Sequence, residues 1–317
     1  MYGGETGTII PLHQKWPQIP RKSPPTCPFF RLYKDNTIDR FGQPQVVPPS
    51  DDPQAAVRSK DVVIDQNTGV SVRIFAPGRR DPSQKLPLVV YVHGGAYCVG
   101  SASYAVFHNF VSKLVEKSNA IAVSIDYRLA PESPLPIAYE DSWAAFQWIA
   151  VHANGKGPDP WLNEYADFRR VFLGGESAGA NIANDVAIRA GTEQLLGAEI
   201  VGVFLVHPFF AGNEVAELYK VLCPTSSGRG DDPRLNPAVD PRIRNMAGRR
   251  VAFFVAEKDT LREGARGYYE GLKKSEWRGE VEIFETEGEG HCFHLFKTNS
   301  QKAEAVMVGL VGFLNRG

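Results

Sequence analysis

The sequence predicts the α/β class: a mostly parallel central sheet with helices on both faces. Three observations lead there. Apolar runs such as Leu88 to Val92, Ala120 to Ile125 and Ile200 to Val206 lack the polar alternation of a strand with one wet face, so both faces must be covered. Stretches with helical apolar spacing separate these runs, as in β-α repeats. A short antiparallel opening precedes the repeats and makes the sheet mixed. The 317 residues are enough to bury a core of this kind.

Each element follows from its local pattern. Residues 1–28 read as an irregular, Pro-punctuated arm, a candidate cap. Phe29 to Tyr33 is a short strand, with a turn at Asp35-Asn36. Pro44 to Pro53 is loop. Val62-Val63-Ile64 and Val70 to Phe75 flank Asn67-Thr68-Gly69 and predict an antiparallel hairpin. Pro77 to Pro87 is again loop. Leu88 to Val92 is a buried strand, Tyr104 to Lys117 a helix and Ala120 to Ile125 a second buried strand. Tyr139 to His152 is a helix with an apolar surface of Trp143, Phe146, Trp148 and Ile149. Arg170 to Leu173 is a strand, and Ala180 to Ala190 continues as a helix. Ile200 to Val206, Val251 to Val255 and Val281 to Phe284 are further strands. Helices complete the pattern at Thr260 to Lys274 and Ser300 to Leu314. Residues 29–317 therefore read as one domain. Ala211 to Asp240, loop-rich between two core strands, is a candidate cap insertion.

Composition excludes several roles. The formal net charge is −1, and the densest basic pairs, Arg79-Arg80 and Arg249-Arg250, are too short to form a tract. No nucleic-acid or anionic-membrane partner is expected. No apolar run reaches about 18 residues, the length of a transmembrane helix. The first 28 residues lack the apolar region of a secretory signal. A cytoplasmic location is expected, with a plastid as the alternative. Cys27, Cys98, Cys223 and Cys292 form no C-x-x-C pair, which argues against zinc, redox motifs and a disulfide framework. Neither a metal nor an organic cofactor is expected. Cys98 and Cys292 lie near the motifs below, as pocket lining or as small buried fillers.

The densest chemical signal is Gly175-Glu176-Ser177-Ala178-Gly179, between the apolar run Val171-Phe172-Leu173 and a helix. Strand, sharp serine-bearing turn and helix together form a nucleophile elbow. The glycines are expected to serve the strained turn. A serine hydroxyl is weakly nucleophilic at neutral pH, so it needs a base, an acid to orient that base, and N–H donors for the oxyanion. The expected chain order is serine, acid, histidine, each after a strand. His291, in the glycine-rich loop after Val281 to Phe284, is the base; His294 is a rival that reads as packed among Phe293, Leu295 and Phe296. Asp259, beyond Val251 to Val255, is the acid, and it also suits a helix N-cap. Glu257 is the alternative. His93-Gly94-Gly95-Ala96-Tyr97 follows a strand and forms the oxyanion loop, paired with the N–H of Ala178.

With Asp126-Tyr127-Arg128-Leu129-Ala130-Pro131-Glu132, Asn181 and Gly290-His291 added to these motifs, the chain resembles plant carboxylesterases. The resemblance is to the hormone-sensitive-lipase-like group of the α/β-hydrolases. It runs from about Pro28 to the C-terminus. It implies the α/β-hydrolase fold, a Ser177-Asp259-His291 triad, and an oxyanion hole at Gly94, Gly95, Ala96 and Ala178. Gly95, Ala96 and Ala178 would donate, and Gly94 would shape the turn. It also implies a cap from the N-terminal arm and a helical insertion, and scaffold roles for Tyr127 and Arg128. Taken alone, Arg128 is also a candidate anion clamp. Glu176 reads as a buried hydrogen-bonding neighbour of the serine. The sequence departs from the family at Ala96, where glycine is usual, and in a short stretch after His207-Pro208-Phe209-Phe210.

The function expected is hydrolysis of short-chain acyl esters of small alcohols, including aromatic or polycyclic specialised metabolites, by a monomer or weak homodimer. Tyr97, Tyr104, Phe107, Phe209 and Phe210 are candidate pocket aromatics, or ordinary core. One alternative is a non-hydrolytic relative: a dehydratase, a cyclase or lyase, or an intramolecular acyl-transfer enzyme. Such dehydratases carry threonine at the nucleophile position, where this chain has Ser177. Another is a hormone receptor like the gibberellin receptors, which lack the histidine found here as His291.

Overall fold

The computed structural model describes residues 29–33, 37–41, 44–79, 81, 83–195, 197–210 and 213–316. The arm over residues 1–28, the turn at Asp35-Asn36 and Ala211, where the insertion begins, lie outside the described residues. A small antiparallel pair, β1 (Phe30–Leu32) with β2 (Ile38–Arg40), precedes the main sheet. The predicted hairpin is β3 (Val57–Val63) and β4 (Ser71–Pro77), joined through Gly69 at φ +76°.

The repeats then run β5 (Leu86–Val92), α1 (Ala105–Ser118), β6 (Ile121–Asp126), α2 (Ile137–Ala150) and α3 (Pro160–Tyr165). They continue with β7 (Ala166–Glu176), α4 (Ala178–Glu193), β8 (Ile200–Val206), α5 (Asn213–Leu222) and β9 (Arg250–Ala256). Last come α6 (Arg262–Lys274), β10 (Glu280–Thr286), α7 (Phe293–Phe296) and α8 (Gln301–Asn315).

The main sheet has eight strands in the order β10-β9-β8-β7-β5-β6-β4-β3. Pairs from β10 through to β6 are parallel, while β4 is antiparallel to both β3 and β6. From β5 the chain moves to β6 on one side and then crosses to β7 on the other. The winding thus reverses between β5 and β7. An open α/β sheet leaves its ligand crevice at the carboxyl ends of the strands at such a reversal. Here those ends lead into His93 and Ser177.

Burial on both faces explains the unbroken apolar strands. In β5, Leu88, Val90 and Val92 enter one core, and Val89 and Tyr91 the other. Helices α2, α4 and α6 cover the first, and α1, α7 and α8 the second. The edge strand β3 alternates and carries Arg58, Lys60 and Asp61, charges that discourage pairing with another chain. Among the described residues no helix is long and apolar enough to cross a membrane.

Three helices escape the periodic signal because they are short: α3, α5 and α7. In α3, Pro160 opens the helix and Asp159 accepts hydrogen bonds from the Trp161 and Leu162 N–H groups at 2.9 and 3.3 Å. In α5, Tyr219 and Leu222 lie three residues apart on one face and are fully buried. Tertiary burial orders this part of the loop-rich stretch.

Leu88 is completely buried, whereas Val308 is 60% exposed. Leu88→Ala should therefore cost about 2–5 kcal/mol in urea unfolding, and Val308→Ala should stay within about 0.5 kcal/mol.

Candidate active site

β7 ends at Glu176 and α4 begins at Ala178, so Ser177 alone makes the turn, at φ 55° and ψ −121°. Such a backbone costs a residue with a Cβ on the order of 1–3 kcal/mol. Hydrogen bonds on both sides hold it. The Ser177 N–H donates to Val206 O at 2.9 Å, and its carbonyl accepts from the Phe209 N–H at 3.0 Å and the Asn181 N–H at 3.2 Å. The flanking glycines serve a different need from the one their motif suggests. A Cβ on Gly175 would lie 2.2 Å from the Val92 carbonyl oxygen, and one on Gly179 only 2.0 Å from it. The serine carries the strain, and the glycines let β7 and α4 approach β5.

Loops at the carboxyl ends of three strands meet at the serine. His291, after β10, places Nε2 2.9 Å from Ser177 Oγ and Nδ1 2.8 Å from Asp259 Oδ2. Asp259, after β9, uses its other oxygen to accept from the Leu261 N–H at 2.9 Å. It therefore orders the start of α6 and contacts His291 at once. Burial opposes charge on Asp259, but His291 and the Leu261 N–H outweigh it and hold the carboxyl below its usual range. At His291 burial disfavours the imidazolium, yet Cys292 and the Asp259 carboxylate raise its pKa well above 6.5. Glu257 turns elsewhere and accepts from the Gly288 N–H at 2.6 Å. His294 is buried with its ring 5.1 Å from Phe110, edge to face, as expected of a packed histidine.

The loop after β5 lies across from the elbow. The Gly94 N–H donates to Glu176 Oε1, so Gly94 shapes the loop. The Glu176 carboxyl is buried, and burial raises its pKa well above the usual range. Gly95 has φ +104°, and a Cβ on it would meet Val99 O at 1.9 Å. Ala96 and Tyr97 follow at φ 52° and 62°. These fall in the left-handed region an L-residue can enter, so the loop accommodates alanine at 96. Among the described residues, the Gly95 and Ala96 N–H groups donate to no protein acceptor. The Ala178 N–H opens α4, where a helix has no internal acceptor for it.

The segment from Asp126 to Glu132 braces this loop. Tyr127 Oη donates to His93 O at 3.0 Å, and the two rings stack at 4.4 Å. Arg40 of β2 donates to Cys98 O at 2.7 Å and to both carboxylate oxygens of Glu132. The Arg128 guanidinium donates to both Asp141 oxygens at 2.9 and 2.6 Å, a scaffold pair that engages the candidate anion clamp. Arg128 borders a cavity of about 290 Å³ that includes Asp65 and Trp148 and no residue of the Ser177 cluster.

His207, just after β8, was not singled out by sequence reasoning. Its Nδ1 accepts from the Cys292 N–H at 2.8 Å, which fixes the residue next to His291. That bond places the ring proton on Nε2, so the 3.4 Å approach of Nδ1 to Asp259 is no ion pair. Burial keeps the ring neutral. The available signal was its place at the carboxyl end of a strand. His207, His291 and Cys292 offer ligand atoms within 4.8 Å of one another, but both His291 nitrogens and His207 Nδ1 already hold hydrogen bonds.

The candidate pocket aromatics divide. Phe107 packs on His93 at 5.4 Å and Phe210 on Tyr268 at 5.0 Å; both are buried. Phe107 is drawn in because α1 packs on the sheet, and Phe210 because α6 closes over the chain after β8. Tyr97, fully buried, meets Phe209 edge to face at 5.5 Å behind the oxyanion loop. Tyr104, at the start of α1, is partly buried and has a backbone bridge to Val46. Cys98, Cys223 and Cys292 are buried thiols. Gly179→Ala should lower unfolding free energy by at least about 2 kcal/mol in denaturant titration, because the new methyl meets strand backbone that cannot move aside.

Comparison with known proteins agrees with the fold. Residues 89–295 match the family described by the α/β-hydrolase fold. Probable carboxylesterase 2 of Arabidopsis thaliana is 41% identical over 91% of this chain and 95% of its own length. A 2-hydroxyisoflavanone dehydratase of Glycyrrhiza echinata is 37% identical over 94% of this chain and 96% of its own. A hyperthermophilic esterase from Pyrobaculum calidifontis shares the fold at a TM-score of 0.67 and 23% identity, over 81% of this chain and 85% of that one. The chain belongs to the α/β-hydrolase fold family, among the plant carboxylesterases of its hormone-sensitive-lipase-like group.

Proposed function

We propose that this protein is a serine esterase in which Ser177, His291 and Asp259 form the triad. One observation carries the reading: the continuous Asp259–His291–Ser177 hydrogen-bond chain, at 2.8 and 2.9 Å. Ser177 Oγ bonds to the ester carbonyl carbon as His291 Nε2 takes its proton. The N–H groups of Gly95, Ala96 and Ala178 receive the oxyanion. The tetrahedral intermediate expels the alcohol, protonated by His291, and leaves an acyl-serine. Water, deprotonated by His291, attacks that acyl carbon and releases the acid, returning the proton to Ser177. Asp259 stays ionised, orienting His291 and stabilising its cation.

Short acyl groups on small alcohols are the proposed substrates, with specialised metabolites as the natural class and the 211–240 insertion and residues 1–28 as the cap. The dehydratase relative supports this scope, since its name specifies 2-hydroxyisoflavanone, a hydroxylated polycyclic substrate. The same relative favours a second reading, in which elimination replaces hydrolysis. Labelled oxygen from water entering the released acid supports hydrolysis; conversion without incorporation supports elimination or internal acyl transfer. A cytoplasmic location is also proposed, supported by the buried thiols, and imaging of a fluorescent fusion tests it against the organelle named for a mitochondrial relative.

Ser177→Ala should lower p-nitrophenyl acetate hydrolysis by about 10⁴-fold or more with the fold intact, and p-nitrophenyl palmitate should be a poor substrate of the wild type. Undiminished turnover by the alanine variant would remove the mechanism. His291 must be neutral to accept the proton, and its pKa is raised. Activity should therefore climb with pH along a limb centred above 6.5. Asp259→Asn should move that limb to lower pH and reduce kcat by about 10⁴-fold, as read from a pH profile of kcat/KM.

A further inference from the structure

Behind the oxyanion loop lies a buried hydroxyl cluster that none of the proposed chemical steps uses. Tyr97 of the loop, Tyr139 of α2, Tyr219 of α5 and Asn181 of α4 are each 2% exposed or less. Tyr139 Oη lies 3.2 Å from Tyr97 Oη, 3.2 Å from Tyr219 Oη and 2.8 Å from Asn181 Oδ1.

The proton directions can be deduced. Asn181 Nδ2 donates to Phe209 O at 2.8 Å and Arg234 O at 2.6 Å, which leaves Oδ1 as acceptor. Tyr139 has one proton and must spend it on Asn181. Its lone pairs then receive the protons of Tyr97 and Tyr219. Tyr139 is thus the shared acceptor of two tyrosines from different parts of the chain. Burial raises the pKa of all three phenols, so each keeps its proton.

The placement matters because Tyr97 follows Ala96 directly, and both residues sit at positive φ. The Tyr97 carbonyl is held by the Ala130 N–H at 2.9 Å, and its side chain by Tyr139. Tyr219 belongs to the helix of the 211–240 insertion, whose end is tied back by the Leu135 N–H donating to Leu222 O at 2.8 Å. The insertion therefore reaches the oxyanion loop by two routes, the Tyr139 hydroxyl and an edge-to-face contact of the Tyr219 and Tyr97 rings at 6.1 Å; only the first carries hydrogen bonds.

We propose that Tyr139 is a positioning residue that couples the insertion helix to the oxyanion loop, with Tyr219 and Tyr97 as its two arms. The proposal rests on the esterase reading above and on the donor role of Gly95 and Ala96. Loosening either arm lets the strained loop relax and misplaces those donors. Ground-state binding of the substrate is spared, because the oxyanion forms only in the transition state.

Tyr219→Phe and Tyr97→Phe each remove one donated hydrogen bond and keep the ring. Tyr139→Phe removes the hub. For p-nitrophenyl acetate, each single-arm variant should lose about tenfold in kcat with KM within about twofold of wild type. Affinity for a short-chain trifluoromethyl ketone, which adds to the serine and places an oxyanion in the hole, should fall by the same factor. If the hub variant fails to fold, the arm variants alone decide. Wild-type kcat and ketone affinity in both folded arm variants overturns the proposal. So does a change confined to KM or to thermal stability. The outcome is separable from that of the esterase reading, which stands or falls on Ser177→Ala.

Discussion

The site depends on how closely β7 and α4 pass β5. Gly175 and Gly179 lie against the Val92 carbonyl with no room for a Cβ. This contact sets the serine turn beside the start of the oxyanion loop, since Val92 is the last residue of β5. The winding reversal puts these strands next to each other. The glycines let their ends approach closely, which sets Ser177 against Gly94. The strain at Ser177 is a consequence of that closeness and is shared out over the bonds to Val206, Phe209 and Asn181.

Two carboxyl groups near the serine show how surroundings divide labour between like side chains. Asp259 is buried but shares its oxygens between an imidazole and a helix N–H, so its charge is sustained. Glu176 is buried with a single backbone donor, and burial dominates. It ties Gly94 in place, and burial opposes a second negative charge there beside Ser177. His207 follows the same logic: neutral and buried, it serves as an acceptor for the residue after His291.

The oxyanion loop is anchored from outside its own strand. Arg40, Tyr127 and Ala130 hold its backbone, and Tyr139 holds its first aromatic side chain. Such bracing accounts for alanine at 96 at a φ of 52°. A left-handed alanine is tolerable when its neighbours overdetermine the turn. It also accounts for the motif from Asp126 to Glu132, in which Tyr127 and Ala130 donate to the loop and Glu132 holds Arg40.

The sequence by itself determined the parallel core, the helices between the strands and the identity of Ser177, Asp259 and His291. These are local signals: apolar runs of strand length, a glycine-flanked serine between strand and helix, and acidic and histidine loops after strands. The tertiary structure alone decided which neighbours act on them. His207, Arg40 and Tyr139 carry no local pattern, because their partners lie far away in sequence and meet only when the sheet is assembled. Phe107 and Phe210 read equally well as pocket or core in the sequence, and only the assembled fold supplies their ring partners, His93 and Tyr268. Proximity in sequence can specify a turn and its serine. The direction of a hydrogen bond, and whether a buried acid keeps its charge, depends on which groups folding brings into contact.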